Sequence, residues 1–234
     1  MHLFHCPDLL PDLIELPEGE AHHAASVLRL QEGIRIGLLD GRGTHANAEL
    51  MEVSKRRVVA RVLDRVLDTS ERTALIHLAV APTKQNDRFE WFVEKAVEIG
   101  VDRITPLMTE RTERSRMRAD RLLRVAVSAM KQSQRTWLPR IDEPMDLSAL
   151  FREELPEQRF FGWCEGEHDT LVARYLPTVD AMVLIGPEGD LTAAEAGSLR
   201  EHGFQAVSLG AARLRTETAA LAACTWMSFA QQAR

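Results

Sequence analysis

The chain has 234 residues, 45% hydrophobic and 27% charged, enough to bury a core in one large domain or in two smaller ones. No stretch approaches the roughly 18 uncharged apolar residues of a membrane helix. The start MHLFHCPDLLPDLIELPEGE lacks the basic-then-apolar order of a secretory signal, so a cytoplasmic location away from membranes is expected. The net charge of −6 weighs against a general nucleic-acid coat, and the distant Cys6, Cys164 and Cys224 weigh against a disulfide framework.

Residues 1–70 carry the period of strands. A helical stretch is predicted over 19–30. Beyond it, Ile34, Ile36 and Leu38 alternate with polar or small residues up to the turn cluster Asp40-Gly41-Arg42-Gly43. Strand-like segments follow at 46–53 and 58–63, on either side of Lys55-Arg56-Arg57. Short strands at this spacing predict a small β-barrel or an open sheet. The polar run 64–73 reads as a linker to a second domain over 74–234.

In the second domain the period changes to strand–helix alternation. The apolar run 75–80 precedes Asp87 and Glu90, spaced as a variant capping box. Phe89, Phe92, Val93, Ala96 and Val97 form one helix stripe, closed by Gly100 as a cap glycine. A strand is expected at 104–107, a helix at 119–135, a strand at 160–163 and a helix at 170–175. A buried strand follows at 182–185, then a helix opened by Thr192 and Glu195 and stopped at Gly203. Last come a strand at 206–209 and a helix from Thr216 to about Gln231. Repeated βα units predict a parallel sheet covered by helices.

Two strand-end loops attract attention. The first is Gly186-Pro187-Glu188-Gly189-Asp190; the second runs from Leu209 through Gly210 and Arg215 to Ala219. In open α/β sheets ligands bind outside the carboxyl ends of the strands, so these loops read either as two walls of one nucleoside pocket or as ordinary tight turns. Neither matches a dinucleotide or polyphosphate fingerprint, and there is no Gly-x-Ser-x-Gly elbow of a hydrolase. His2, His5 and Cys6 have no second half-site, so no metal is expected. Between residues 103 and 140, ten lysines and arginines face three acids: Arg103, Arg111, Arg114, Arg116, Arg118, Arg121, Arg124, Lys131, Arg135 and Arg140 against Glu110, Glu113 and Asp120. That run is either a local field for RNA or a solvated face.

GPEGDLTAAE and LGAARLRTETA resemble the signature loops of the 16S ribosomal RNA uracil-N3 methyltransferase family of the SPOUT superfamily. Earlier landmarks agree in order. They are His23 with Val27-Leu28-Arg29, Asp40-Gly41-Arg42-Gly43, Lys84, Lys95 with Glu98-Ile99-Gly100-Val101, and Gln132-Ser133-Gln134-Arg135 with Pro139. Asp190 stands where the family pattern has a second glycine, Leu191 replaces its aromatic residue, and Ala212-Arg213 replaces Arg-Ile. An aspartate there reshapes the loop if the position needs positive φ, which would leave a non-catalytic RNA- or nucleotide-binding module as the alternative.

The resemblance implies a SPOUT-like parallel-sheet α/β domain with a trefoil knot, a PUA-like N-terminal β-barrel that helps hold RNA, and a homodimer. It implies S-adenosylmethionine as cofactor and 16S ribosomal RNA or the small subunit as partner. By position, Leu184, Ile185, Gly186, Pro187, Glu188, Gly189, Leu209, Gly210, Leu214 and Thr218 are expected to bind the cofactor. Arg29, Arg111, Arg114 and Arg135 are expected to contact RNA. Uracil N3 must lose a proton before it attacks, so the site needs a base or a cation for the charge on the ring oxygens. Arg215 and Glu217 are the candidates. Arg215 also reads as a surface or dimer ion pair, and Glu217 as a helix-start carboxylate facing the macrodipole.

Overall fold

The computed structural model describes residues 1–68, 74–113 and 117–232. Arg114, one of the expected RNA contacts, lies outside the described residues. The chain divides into two compact units, Met1–Glu71 with Val127–Leu138, and Arg72–Ala126 with Pro139–Arg234. The first unit therefore takes in a segment that the single expected cut at residues 70–74 left to the second domain.

The N-terminal unit is a five-stranded sheet. Its strands are β1 (Leu3–His5), β2 (Leu13–Glu15), β3 (Arg35–Leu39), β4 (Thr44–Val53) and β5 (Val58–Leu67), in the order β1-β3-β4-β5-β2. β1 and β2 have three residues each, too few to show a period. The helical stretch is the short helix α1 (Glu18–His22) continued by a π-helical turn, His23–Val27. Phe4, Ile36, Leu38, Ala46, Ala48 and Leu50 form its core. The expected linker begins too early, because Asp64, Arg65, Val66 and Leu67 pair with β4. Arg65 makes that polar end of the strand worthwhile: its guanidinium donates to the carbonyls of Leu9, Leu10 and Pro11. The segment 127–138 belongs here through its own bonds. Lys131 Nζ lies 2.6 Å from Glu20 Oε1, Gly43 N donates to Thr136 O, and Leu138 N donates to Gly41 O. At Gly43, with φ of 97°, a Cβ would come within 2.5 Å of the Trp137 ring, so no other residue fits.

In the C-terminal unit the strands are β6 (Ile76–Val80), β7 (Arg103–Met108), β8 (Arg140–Ile141), β9 (Met145–Asp146), β10 (Gln158–Gly162), β11 (Ala181–Ile185) and β12 (Gln205–Val207). Their order is β12-β10-β11-β6-β7-β8, with β9 on β7, and every pairing is parallel. All five residues of β6 and of β11 are buried, as expected of central strands covered on both faces. The helices are α2 (Asn86–Ile99), α4 (Leu147–Leu150), α5 (Leu171–Arg174), α6 (Ala193–Glu201) and α7 (Thr216–Gln232), while α3 (Ala119–Gln132) begins in this unit and from Val127 on belongs to the first.

The α2 stripe is buried as its spacing predicts, and Gly100 closes the helix at φ 114°. Its start differs from the expectation. Gln85 is the N-cap, without a side-chain cap bond, while Glu90 pairs with Arg121 at 2.6 Å. Asp87 remains in the first turn, where a carboxylate favours the helix dipole. On α6 the expected capping box is complete: Thr192 Oγ1 accepts from Glu195 N, and Glu195 accepts from Thr192 N.

One register level of the sheet carries a buried polar network. His77, Arg103 and Arg140 are aligned on β6, β7 and β8. Thr105 Oγ1 donates to Asp142 Oδ2 (2.5 Å) and so accepts from His77 Nε2–H (2.7 Å), which fixes the imidazole tautomer. Arg103 Nε donates to the same Asp142 oxygen (2.6 Å), and Arg140 Nε lies 2.6 Å from the other. Burial, with Arg103 nearby, pushes the His77 pKa down to about 3. Burial alone would raise the Asp142 pKa, but bonds from Arg103 and Thr105 hold it below the usual value.

Candidate active site

At the carboxyl end of the C-terminal unit's sheet, three neighbouring strands run out into loops around one cavity of about 1060 Å³. Gly162 ends β10, Ile185 ends β11 and Val207 ends β12, and all three line it. Each loop has its own fastening.

The loop after β11 turns at Pro187, whose carbonyl accepts from Asp190 N. Asp190 has φ of 62°, so this aspartate adopts the left-handed conformation a glycine would supply. Aspartate is among the few residues that tolerate it, and Oδ1 accepts from Leu191 N at 2.8 Å. The loop shape is thus kept, and a carboxylate is added to the cavity wall. Leu191, the other departure, is 1% exposed and packs into the core. Gly186 is needed for space: a Cβ there would lie 3.1 Å from Leu191 Cγ and 3.3 Å from Leu191 N. From outside, Arg111 Nη1 donates to the carbonyls of Gly189 (2.8 Å) and Leu191 (3.3 Å).

After β12, Gly210 turns the chain at φ 123°, and residues 211–215 cross the cavity to the start of α7. There Thr216 Oγ1 donates to Gly186 O at 3.1 Å, a buried bond that joins the two signature loops.

Of the expected cofactor residues, Ile185, Gly186, Pro187, Glu188, Leu209, Gly210 and Leu214 line the cavity. Leu184, Gly189 and Thr218 do not: Leu184 is in the core, Gly189 turns toward Arg111, and Thr218 is exposed on α7. Arg215 lines the cavity and is exposed. Glu217 is 6% exposed and off the wall, with Oε1 3.9 Å from the Arg88 guanidinium. Arg29 and Arg135 belong to the N-terminal unit, and Arg111 to the C-terminal one. Much of the basic run is already paired: Arg103 and Arg140 with Asp142, Arg118 and Arg124 with Asp120, Arg121 with Glu90, Lys131 with Glu20.

Sequence reasoning missed the third loop, Trp163, Cys164, Gly166, Glu167 and His168, and it missed Arg88. The strand-end rule applied to β10 would have found the loop. Cys164 sits against Asp190; burial first, then that carboxylate, pushes its thiol pKa up. Arg88, on the first turn of α2, carried no sequence signal.

The cavity has the size of a small-ligand site. Its walls combine apolar Ile185, Leu209 and Leu214 with backbone from glycine turns and a few charged groups, which suits an adenosyl group rather than a polyphosphate. The fold and site define an α/β domain that holds a nucleoside-like ligand at the carboxyl ends of parallel strands, joined to a small sheet domain.

Comparisons with known proteins sharpen that class. The RNA methyltransferase domain model matches residues 70–228, and the RNA methyltransferase PUA domain model matches residues 16–63. The chain belongs to this RNA methyltransferase family. Ribosomal RNA small subunit methyltransferase E of Mycobacterium bovis is 30% identical over 230 residues, 92% of this chain and 87% of that protein. Its Bacillus subtilis namesake is 29% identical over 228 residues, covering 90% and 87%. The Neisseria gonorrhoeae ribosomal RNA small subunit methyltransferase E, solved bound to S-adenosylmethionine, superposes with a TM-score of 0.86 at 30% identity over 98% of both chains. A Legionella pneumophila protein solved with the same cofactor gives 0.90 at 29% identity over 97% of both.

Proposed function

We propose that this protein methylates N3 of a specific uridine in 16S ribosomal RNA, using S-adenosylmethionine, and that it does so as a cytoplasmic homodimer. The observation that carries the reading is the single cavity formed by the signature loops after β11 and β12, tied together by Thr216 and Gly186. Its support from relatives is that they bind the same cofactor or are named for small-subunit ribosomal RNA. The left-handed Asp190 removes the motive for a non-catalytic module, since the departure from glycine keeps the turn. The trefoil knot and the PUA-like hold on RNA belong to the same proposal, as does RNA contact by Arg29, Arg111 and Arg135.

When bound, the cofactor supplies an electrophilic sulfonium methyl. Ile185, Leu209 and Leu214 give apolar wall for the adenosyl group, and the backbone at Gly186 and Gly210 allows close approach. Orientation of the two reactants supplies much of the acceleration in such a transfer. Arg215, exposed on the cavity wall, offers a cation to the charge that builds on the uracil oxygens as N3 loses its proton. Small-subunit ribosomal RNA from a strain lacking this gene, incubated with the protein and labelled cofactor, should acquire one 3-methyluridine. Methylation at another base atom, or none, would overturn the reading.

A further inference from the structure

The buried Glu217 and the cavity-facing Arg88 form one device. Glu217 lies in the first turn of α7 with its side chain 8% exposed, and its Oε2 has no hydrogen-bond partner among the described residues. A buried carboxylate oxygen without a partner is costly and calls for an explanation. Because Glu217 is not on the cavity wall, it cannot reach a base directly. Arg88 is on the wall, half-buried, and Glu217 is its one ion-pair partner among the described residues, at the long distance of 3.9 Å. Its guanidinium donates no hydrogen bond to any described residue, so its planar array of donors remains available to the cavity. Arg213 and Arg215 also line the cavity, but both are exposed and carry no carboxylate of this kind behind them.

We infer that Arg88 is a second cation, beside Arg215, that meets a carbonyl oxygen of the target uracil, and that Glu217 is the positioning residue whose charge keeps it at the cavity wall. The inference rests on the uracil-N3 reading. In the transfer, N3 forms a bond to the methyl carbon as the carbon–sulfur bond breaks, with that electron pair going to sulfur. The N3 proton leaves to water, and Arg88 keeps all of its protons while donating to the oxygen on which negative charge has built. The charge of a buried carboxylate behind it draws the guanidinium toward the cavity wall while all its N–H donors stay free for the oxygen.

The test uses the full-length protein with ribosomal RNA under single-turnover conditions. Arg88→Ala should slow methylation by roughly one to three orders of magnitude, leave S-adenosylhomocysteine affinity within about twofold, and recover in part with added guanidinium ion or at higher pH. Glu217→Gln should slow it less, and the double variant should be no slower than Arg88→Ala, because Glu217 acts only through Arg88. Multiplying effects in the double variant would overturn the coupling. A cofactor-affinity loss that accounts for the whole rate change would assign Arg88 to the cofactor and overturn the proposal, as would a wild-type rate in Arg88→Ala. If the wild-type protein makes no 3-methyluridine, the functional reading falls first; an active wild type with indifferent Arg88 variants sinks this inference alone.

Discussion

The two ends of the same parallel strands are built on opposite plans. At the level of His77, Arg103 and Arg140, five polar or charged side chains pair with one another: His77 gives to Thr105, Thr105 and Arg103 give to one Asp142 oxygen, and Arg140 faces the other as an ion pair without a hydrogen bond. At the carboxyl ends, Arg88, Arg213 and Arg215 face a cavity, and Glu217 keeps an oxygen without a hydrogen-bond partner among the described residues. The sheet is thus closed electrostatically at one level and open at the other. A paired polar network favours one strand register, whereas cations that face a cavity can meet a ligand.

Breaking the closed end should have the largest effect. Asp142→Ala leaves Arg103, Thr105 and Arg140 without their shared acceptor. Removing one partner of a buried ion pair costs about 3–5 kcal/mol, so the urea midpoint should drop sharply. A midpoint close to wild type would mean that the network is dispensable and that apolar β6 and β11 hold the register alone.

Next in size is a change at the open end. Gly186→Ala forces a methyl against Leu191 and should cost about 1–3 kcal/mol, as overpacking does. It should also weaken S-adenosylhomocysteine binding in calorimetry, because Thr216 bonds to the Gly186 carbonyl. Stability lost with affinity intact would separate the loop's packing from the cavity.

The closed end also carries a pH signature. The His77 pKa falls from 6.5 to about 3 on folding, so the unfolded chain takes up the proton first. Its contribution is fully present above pH 6.5 and is lost as the pH falls from there toward 3. The slope is at most about 1.4 kcal/mol per pH unit. Asp142, whose pKa is lowered, adds loss of the same sign in more acidic solution. His77→Gln should flatten the dependence just below pH 6.5, read from urea midpoints across a pH series. An unchanged slope would place the titration elsewhere.

Asp190→Gly should have the smallest effect on stability, within about 1 kcal/mol, because relief of the left-handed strain is offset by greater freedom of the unfolded chain. Its readout is the Cys164 thiol, whose pKa should fall once the neighbouring carboxylate is gone. Cys6 and Cys224 are buried, so thiol labelling of the native protein reports Cys164. A higher pKa would contradict the contact.

Much of this molecule was legible without coordinates. The α2 stripe with its cap at Gly100, the Thr192–Glu195 box and the apolar β11 are local patterns, fixed by helix and strand periodicity and by glycine's conformational freedom. The two signature loops were readable because their glycines, proline and neighbours lie close together in sequence.

What the tertiary structure decided are pairings between distant residues. Arg121 takes Glu90 away from a capping box, and Asp120 and Asp142 pair with arginines of a run that charge alone left open between an RNA field and a solvated face. Residues 127–138 join the N-terminal unit through Lys131 and Glu20, 111 positions apart. Arg88 reaches Glu217 across 129 residues of chain, the difference of their numbers, and no local pattern marks either as a partner. Periodicity determines which face of an element is buried. Only packing determines which charges meet, because an ion pair depends on distance in space and leaves no period in the chain.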